Sequence, residues 1–332
     1  MRAELIYNPY AGQVVVRREL EDVVALLSRS GWAVDKWEAS KPREATERAR
    51  DAAKRGVKVV IAAGGDGTVN EVASGLVGTD TALGVLPVGT TNTWALQMEI
   101  PSLNPMLPST SVAKFLADLE ERIAKPLPAN YYRRVLLHAA QVLVERRTIA
   151  VDMGEVAGRY FLMWVGIGID AAIAESISLR EKRALGSWAY VIPALGTAAR
   201  YSSTDIWLTL DGKVIEVSSP LIIVSNIQVY GGVFPIGAKA LVNDAKLDVC
   251  IFKGEGFFTF VRHALKVLSR QHLQDPKVEY HQCSQISVES ARALPVHKDG
   301  DPFTETPVTI RTLPSALKVI VPRDAPGSLF SE

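Results

Sequence analysis

The chain has 332 residues, 48% apolar and 22% charged, with a formal net charge of +1. This length supports two domains with separate cores, the composition excludes wholesale disorder, and the charge gives no electrostatic footprint for nucleic acid. Cys250 and Cys283, the two cysteines, have neither metal-like spacing nor a disulfide framework and read as buried thiols. The start of the chain enters a strand pattern without the apolar stretch of a signal peptide. No run reaches the roughly 18 apolar residues that span a bilayer. The expectation is a cytosolic protein that meets any lipid at the membrane surface.

Leu5-Ile6-Tyr7 predicts a short strand, turned by Asn8-Pro9-Tyr10-Ala11-Gly12. Residues 17–28 predict a helix with Leu20, Val23, Val24 and Leu27 on one face. A strand over 32–37 and a helix over 42–55 follow. Val57 to Ala63 is a continuous apolar run, the pattern of a strand buried on both faces. Gly64-Gly65-Asp66-Gly67-Thr68 then leads into a helix from Val69 to about Leu76, and Leu83-Gly84-Val85-Leu86 is the next strand. Strand and helix in alternation predict a parallel sheet covered by helices.

From about Arg134 short strand patterns dominate: 135–144, 148–152, 160–165, 206–210, 221–225, 247–252, 285–288 and 306–310. Asp211-Gly212 and Asp299-Gly300 are hairpin-type turns among them. An antiparallel sandwich or barrel is expected, interrupted by a helix within 174–200 and another over 257–268. Residues 102–128, with four prolines, read as the interdomain stretch. The overall class is α/β plus all-β, divided at 133/134, with the second domain ending near 322.

The strongest chemical signal is the loop 64–68. Glycines let backbone approach a phosphate closely, and the following helix N-terminus offers free N–H groups and a positive dipole. Asp66 has the chemistry to hold a magnesium ion or orient an attacking hydroxyl, and Thr68 to donate to phosphate; a plain helix cap would need fewer glycines. The chain has no GxxxxGK motif followed by Ser or Thr, which excludes a P-loop. Gly166-Ile167-Gly168 lacks the third glycine of a dinucleotide fingerprint. Gly89-Thr90-Thr91-Asn92 also follows a buried strand, so the two loops are expected to face one crevice.

Asn8-Pro9…Gly12, Gly64-Gly65-Asp66-Gly67-Thr68…Asn70-Glu71 and Pro87…Gly89-Thr90…Asn92 resemble, in order and spacing, the catalytic domain of the diacylglycerol kinase and sphingosine kinase family. The resemblance continues through Val151-Asp152…Gly154, Gly158-Arg159-Tyr160-Phe161, Gly166-Ile167-Gly168-Ile169-Asp170-Ala171, Leu185-Gly186…Ala189-Tyr190 and Asp299-Gly300-Asp301, covering about residues 1–322. It implies a three-layer nucleotide-binding domain and a β-sandwich domain, with ATP and lipid meeting in a cleft between them. It further implies nucleotide contacts at Asn8, Gly64, Gly65, Asp66, Gly67, Thr68, Glu71, Gly89, Thr90 and Asn92. Asp299 matches a proposed general base for the lipid hydroxyl, a role for which Asp66 competes. Leu241, Asp244 and Lys246 match a structural magnesium site of two backbone carbonyls and one carboxylate, an oxygen-only set suited to Mg2+. Asp152, starting a turn after a strand, is a further metal candidate.

Three positions depart from the family pattern. Thr93 stands where an aspartate is usual, Asp301 where a glutamate is usual, and Ala245 where a glycine is common. The segment 176–200 sets Arg180, Lys182, Arg183 and Arg200 against Glu181 among aromatic and aliphatic residues, a composition suited to an anionic membrane interface. The expected activity is phosphorylation of a lipid hydroxyl by ATP, with diacylglycerol giving phosphatidic acid. The alternatives are a kinase of a long-chain base or of NAD, and a catalytically impaired lipid-binding or regulatory protein. The sequence leaves a homodimer open.

Overall fold

The computed structural model describes residues 1–12, 16–102, 130–176 and 202–331. Most of the expected interdomain stretch, and the basic segment of 176–200 from 177 onward, lie outside the described residues. The described chain forms two compact units, one of 1–12, 16–102, 130–152 and 315–330, the other of 153–176, 202–314 and 331.

The first unit contains β1 (Arg2–Tyr7), α1 (Arg17–Arg29), β2 (Ala33–Glu38), α2 (Glu44–Lys54), β3 (Val59–Gly64), α3 (Asp66–Leu76), β4 (Ala82–Pro87), α4 (Thr93–Gln97) and α5 (Tyr131–Glu145). The four strands pair in parallel in the order β2-β1-β3-β4. Every residue of β3 and β4 is buried, as helices on both faces of a sheet require. The strand order reverses between β1 and β3, and open α/β sheets take ligands outside the carboxyl ends of the strands at such a switch point.

One expected element is wrong in kind. Residues 135–144 are the body of α5, not a strand. Their β-branched valines suggested extended chain, but buried Leu136, Ala139, Ala140 and Leu143 recur at helical spacing. The division at 133/134 also gives way, because α5 and the start of the next strand belong to the first unit.

That strand, β5 (Thr148–Val156), passes into the second unit at Met153. There follow β6 (Arg159–Phe161), β7 (Trp164–Gly168), α6 (Ile169–Ser176), β8 (Thr204–Leu210), β9 (Lys213–Ser219), β10 (Leu221–Ser225), β11 (Leu247–Phe252), α7 (Phe257–Leu268), β12 (Val278–Cys283), β13 (Gln285–Ser290), β14 (Pro295–Lys298), β15 (Asp301–Glu305) and β16 (Val308–Ile320). The strand expected over 160–165 is thus two, β6 and β7, in different sheets. One antiparallel sheet runs β9-β8-β13-β16 and the other β12-β11-β10-β7-β14-β15. Ile206, Leu208, Ile286, Val288 and Ile310 of the first share one buried core with Val165, Ile167, Val224, Val249 and Val296 of the second. This is the expected sandwich. Cys250 and Cys283 are buried and unbridged within it. The far end of β16 is counted with the first unit, where Lys318 and Val319 pair in parallel with Ala82 and Leu83 of β4.

Candidate functional site

Three loops close the carboxyl ends of β1, β3 and β4. After β1, the Asn8 side-chain amide donates to Thr68 Oγ1 at 3.3 Å, while its Oδ1 accepts the Tyr10 amide at 2.9 Å. After β3, Gly65 forms the extended N-cap of α3 and supplies no side-chain cap, which leaves the first-turn N–H groups to other acceptors. After β4, Gly89 packs backbone to backbone on Gly65. A methyl group built on Gly89 would stand 2.3 Å from the Gly65 Cα. Asn92 adopts a left-handed conformation, φ 54°, and clamps this turn from a buried position. Its Oδ1 accepts the Gly89 amide at 2.9 Å and its Nδ2 donates to the Gly89 carbonyl at 2.8 Å and to Ser102 Oγ at 3.0 Å. A Cβ on Gly67 would meet nothing within 4 Å, so the crest of the loop faces open space.

The structure therefore brings together Asn8, Gly64, Gly65, Gly67, Thr68, Gly89, Thr90 and Asn92. Asp66 is in the same loop but its carboxylate is engaged. Its oxygens accept the amides of Thr93 at 2.9 Å and Trp94 at 3.2 Å, tying the start of α3 to the start of α4. Desolvation pushes the Asp66 carboxyl up from its ordinary value, against the pull of those amides. Thr93, where the family has an aspartate, thus contributes its backbone to this link. Glu71 points elsewhere, with Oε1 accepting the Arg43 amide at 3.1 Å ahead of α2.

In the second unit Asp299 opens the hairpin turn between β14 and β15. Its Oδ1 accepts the amides of Met163 and Trp164, both at 3.0 Å, and its Oδ2 the amide of Leu162 at 3.1 Å. Burial pushes its carboxyl up, opposed by Lys298 and these amides. Three amide donors leave unused acceptor capacity on a carboxylate, so Asp299 can still accept a hydroxyl proton. Asn226 holds the same loop, donating its side-chain amide to the Leu162 carbonyl at 3.0 Å and its backbone amide to that of Met163 at 2.8 Å.

Beside Asp299 stands a cluster that sequence reasoning missed. Buried His297 accepts the Gly300 amide at Nδ1, 3.3 Å away, which assigns the ring proton to Nε2 in the neutral form. Nε2 faces Asp170 Oδ2, which also accepts the Tyr230 hydroxyl at 2.5 Å. A Cβ on Gly166 would lie 2.1 Å from Asp170 Oδ2 and 2.2 Å from His297 Nε2, so glycine is needed there for space. The available signal was the spacing of His297 and Asp299, one near the end of β14 and the other opening the turn two residues on.

Asp244 receives the Lys246 amide on Oδ1 at 3.1 Å, in a turn where Ala245 adopts φ 61°, the region glycine occupies at least cost. Asp248 stands four residues on, second in β11. Its Oδ1 accepts Tyr280 Oη–H at 2.6 Å and Gln282 Nε2–H at 3.0 Å, while its buried Oδ2 has no partner among the described residues. Burial and the nearby Asp244 charge raise its carboxyl to about 6. An orphaned carboxylate oxygen near a second carboxylate, that of Asp244, has the chemistry of a hard-cation ligand. Asp152 belongs to the first unit and is engaged otherwise, its Oδ1 accepting the Ser315 amide at 2.7 Å.

Residues 2–118 match the family model of the diacylglycerol kinase catalytic domain. Residues 163–321 match the model described as the YegS C-terminal NAD kinase beta sandwich-like domain. Curated relatives include the diacylglycerol kinases of Bacillus subtilis, 26% identical with 97% of each chain covered, and Staphylococcus carnosus, 24% identical with 97% and 96% covered. A solved structure of a diacylglycerol kinase from Bacillus anthracis shares the fold at a TM-score of 0.74 and 22% identity, with 97% of each chain covered. Loops, sheet and sandwich define a kinase with a catalytic α/β part and a β-sandwich part. The two matches lie one after the other along most of the chain and, with the named relatives, support a lipid kinase of the diacylglycerol-kinase-like family.

Proposed function

We propose that the protein transfers the γ-phosphate of ATP to the hydroxyl of diacylglycerol. The observation that carries this reading is the contact of Gly65 on Gly89 at the carboxyl ends of β3 and β4, next to the uncapped N-terminus of α3. Two bare backbones and a helix dipole suit a polyphosphate, and phosphoryl transfer depends mainly on positioning and charge stabilisation. Asp299 is the acceptor for the lipid hydroxyl proton, and Asp66 positions the loop. Asp244, with the carbonyls of Leu241 and Lys246, would hold Mg2+ with Asp248 behind it. Bound there, the ion would offset the charge of the two carboxylates. The relatives' names favour diacylglycerol as substrate. No helix among the described residues is long and apolar enough to cross a membrane, and the protein reaches its lipid by peripheral contact.

The test is ATP binding and turnover with diacylglycerol in mixed micelles, with a long-chain base, and with NAD. Diacylglycerol should be phosphorylated, and Gly65→Val should abolish both ATP binding and turnover. Phosphate incorporation into NAD alone would favour the second reading, which the NAD-kinase-like description of the sandwich supports. Lipid binding without any turnover would favour a regulatory protein.

A further inference from the structure

Six large hydrophobic side chains are exposed among the described residues, and three of them, Phe257, Phe258 and Leu265, stand on the single helix α7. Phe258 is 87% exposed and Leu265 49%. Phe258, Val261 and Leu265 follow the i, i+3, i+7 spacing that places side chains on one stripe, away from His263 and Val267, which are buried. The helix is therefore apolar on both faces, although only the inner face is covered. An exposed apolar stripe bordered by cations on an amphipathic helix is the pattern of a helix that lies in a membrane interface. Phe257 and Phe258 meet edge to face, with ring centroids 5.6 Å apart, forming one aromatic knob at the start of the helix.

The charges around this stripe are mostly basic. Residues 253–277 contain Lys253, Arg262, Lys266, Arg270 and Lys277 against Glu255 and Asp275. Arg262 is paired with Asp275 and Lys253 with Glu279. Lys266, Arg270 and Lys277 have no ion pair among the described residues. Arg262 and Lys266, four and eight residues after Phe258, border the stripe.

We propose that the outer face of α7 docks onto the surface of an anionic lipid bilayer. Aromatic rings enter the interface while flanking cations meet the headgroups. A second copy of the chain fits less well, because a two-fold contact would set these cations against their own counterparts. The inference rests on the reading that the substrate is a membrane lipid, and it identifies where the protein meets that membrane.

The experiment is sedimentation of the full chain, without ATP, with vesicles of phosphatidylcholine alone or mixed with phosphatidylglycerol. The wild-type protein should sediment with the mixed vesicles. Phe258→Ser should weaken that binding about tenfold or more. Arg270→Gln with Lys277→Gln should weaken it by roughly fivefold per charge, only where phosphatidylglycerol is present. Thermal midpoints should stay near wild type, since these side chains face solvent. Equal sedimentation of Phe258→Ser and wild type would overturn the proposal. So would a dimer, seen by light scattering, that Phe258→Ser dissociates. Turnover of a dispersed short-chain diacylglycerol should be the same in both proteins. A wild type that phosphorylates no lipid alcohol defeats the kinase reading alone, because vesicle binding is read without turnover.

Discussion

Two hairpins of the second unit turn on the same dipeptide and end in different chemistry. Asp211-Gly212 joins β8 to β9 with φ values of 45° and 86°, and Asp299-Gly300 joins β14 to β15 with 47° and 83°. In each, the aspartate amide donates to a carbonyl of a neighbouring segment, Gln285 in one and Trp164 in the other. In each, the carboxylate accepts amides of that segment. Asp211 takes Ser284 N–H at 3.0 Å, Ser284 Oγ–H at 2.7 Å and Gln285 N–H at 2.9 Å. The difference is the surroundings. Asp211 is exposed; slight burial works against it, but the Ser284 and Gln285 donors and Lys246 hold its carboxyl below the ordinary value. Asp299 is buried, its carboxyl is pushed up, and His297 backs its turn through Gly300. Identical turn chemistry gives a solvated tie in one place and a desolvated carboxyl with a raised pKa in the other, because only one was taken out of water.

The widest separation should come from replacing each aspartate by asparagine, which keeps the turn. Asp299→Asn should lower kcat about 10²–10⁴-fold with unchanged ATP binding, whereas Asp211→Asn should leave kcat at the wild-type value. Near-normal turnover in Asp299→Asn, with kcat lost in Asp66→Asn despite intact ATP binding, would move the base to Asp66.

Next in size is the backing of the turn. His297→Ala removes the acceptor for the Gly300 amide and should cost up to about 10²-fold in kcat through misplacement of Asp299. If it acts that way, the loss should vanish in an Asp299→Asn background. His297→Asn retains an acceptor near the Nδ1 position and should restore part of the rate, while a purely structural defect would lower the thermal midpoint equally in both backgrounds.

The glycines divide the two turns by function. Gly300→Ala and Gly212→Ala each force a left-handed alanine and should cost about 1 kcal/mol in urea unfolding. Only Gly300→Ala should also slow turnover.

The smallest effect is in pH, and the signs are opposite. The lowered carboxyl of Asp211 adds stability above its ordinary value, and this is lost as pH falls through the lowered one. Being exposed, it contributes under about 1 kcal/mol. The raised carboxyl of Asp299 costs nothing in acid and destabilises increasingly as pH rises above the ordinary carboxylate value. Thermal midpoints of the two Asn variants relative to wild type, followed from acid to neutral pH, should therefore diverge. Parallel curves would remove the distinction.

The amino-acid order alone determined the parallel layer and the glycine-rich loop after β3. β3 and β4 are short apolar runs that only a doubly covered strand tolerates, and loop 64–68 is packed with glycine between strand and helix, so local composition carried both. It also determined that Asp299-Gly300 is a hairpin. It misassigned 135–144, where valines outweighed a helical period, and it could not show that Asp66 is spent on the amides of Thr93 and Trp94. Tertiary structure alone decided which carboxylates are desolvated and which partners surround them. Asp170, Tyr230 and His297 lie 60 or more residues apart and meet where β7, β14 and the start of α6 converge around Gly166. Asp248 has its carboxyl raised chiefly by burial, against the hydrogen bonds of Tyr280 and Gln282 from β12, and neither the burial nor those partners are visible in the run Asp-Ala-Lys-Leu-Asp. Burial is a property of the whole packed chain, whereas turn and strand propensity belong to a few neighbouring residues. The architecture was therefore legible from the sequence, and the ionisation of its acids was not.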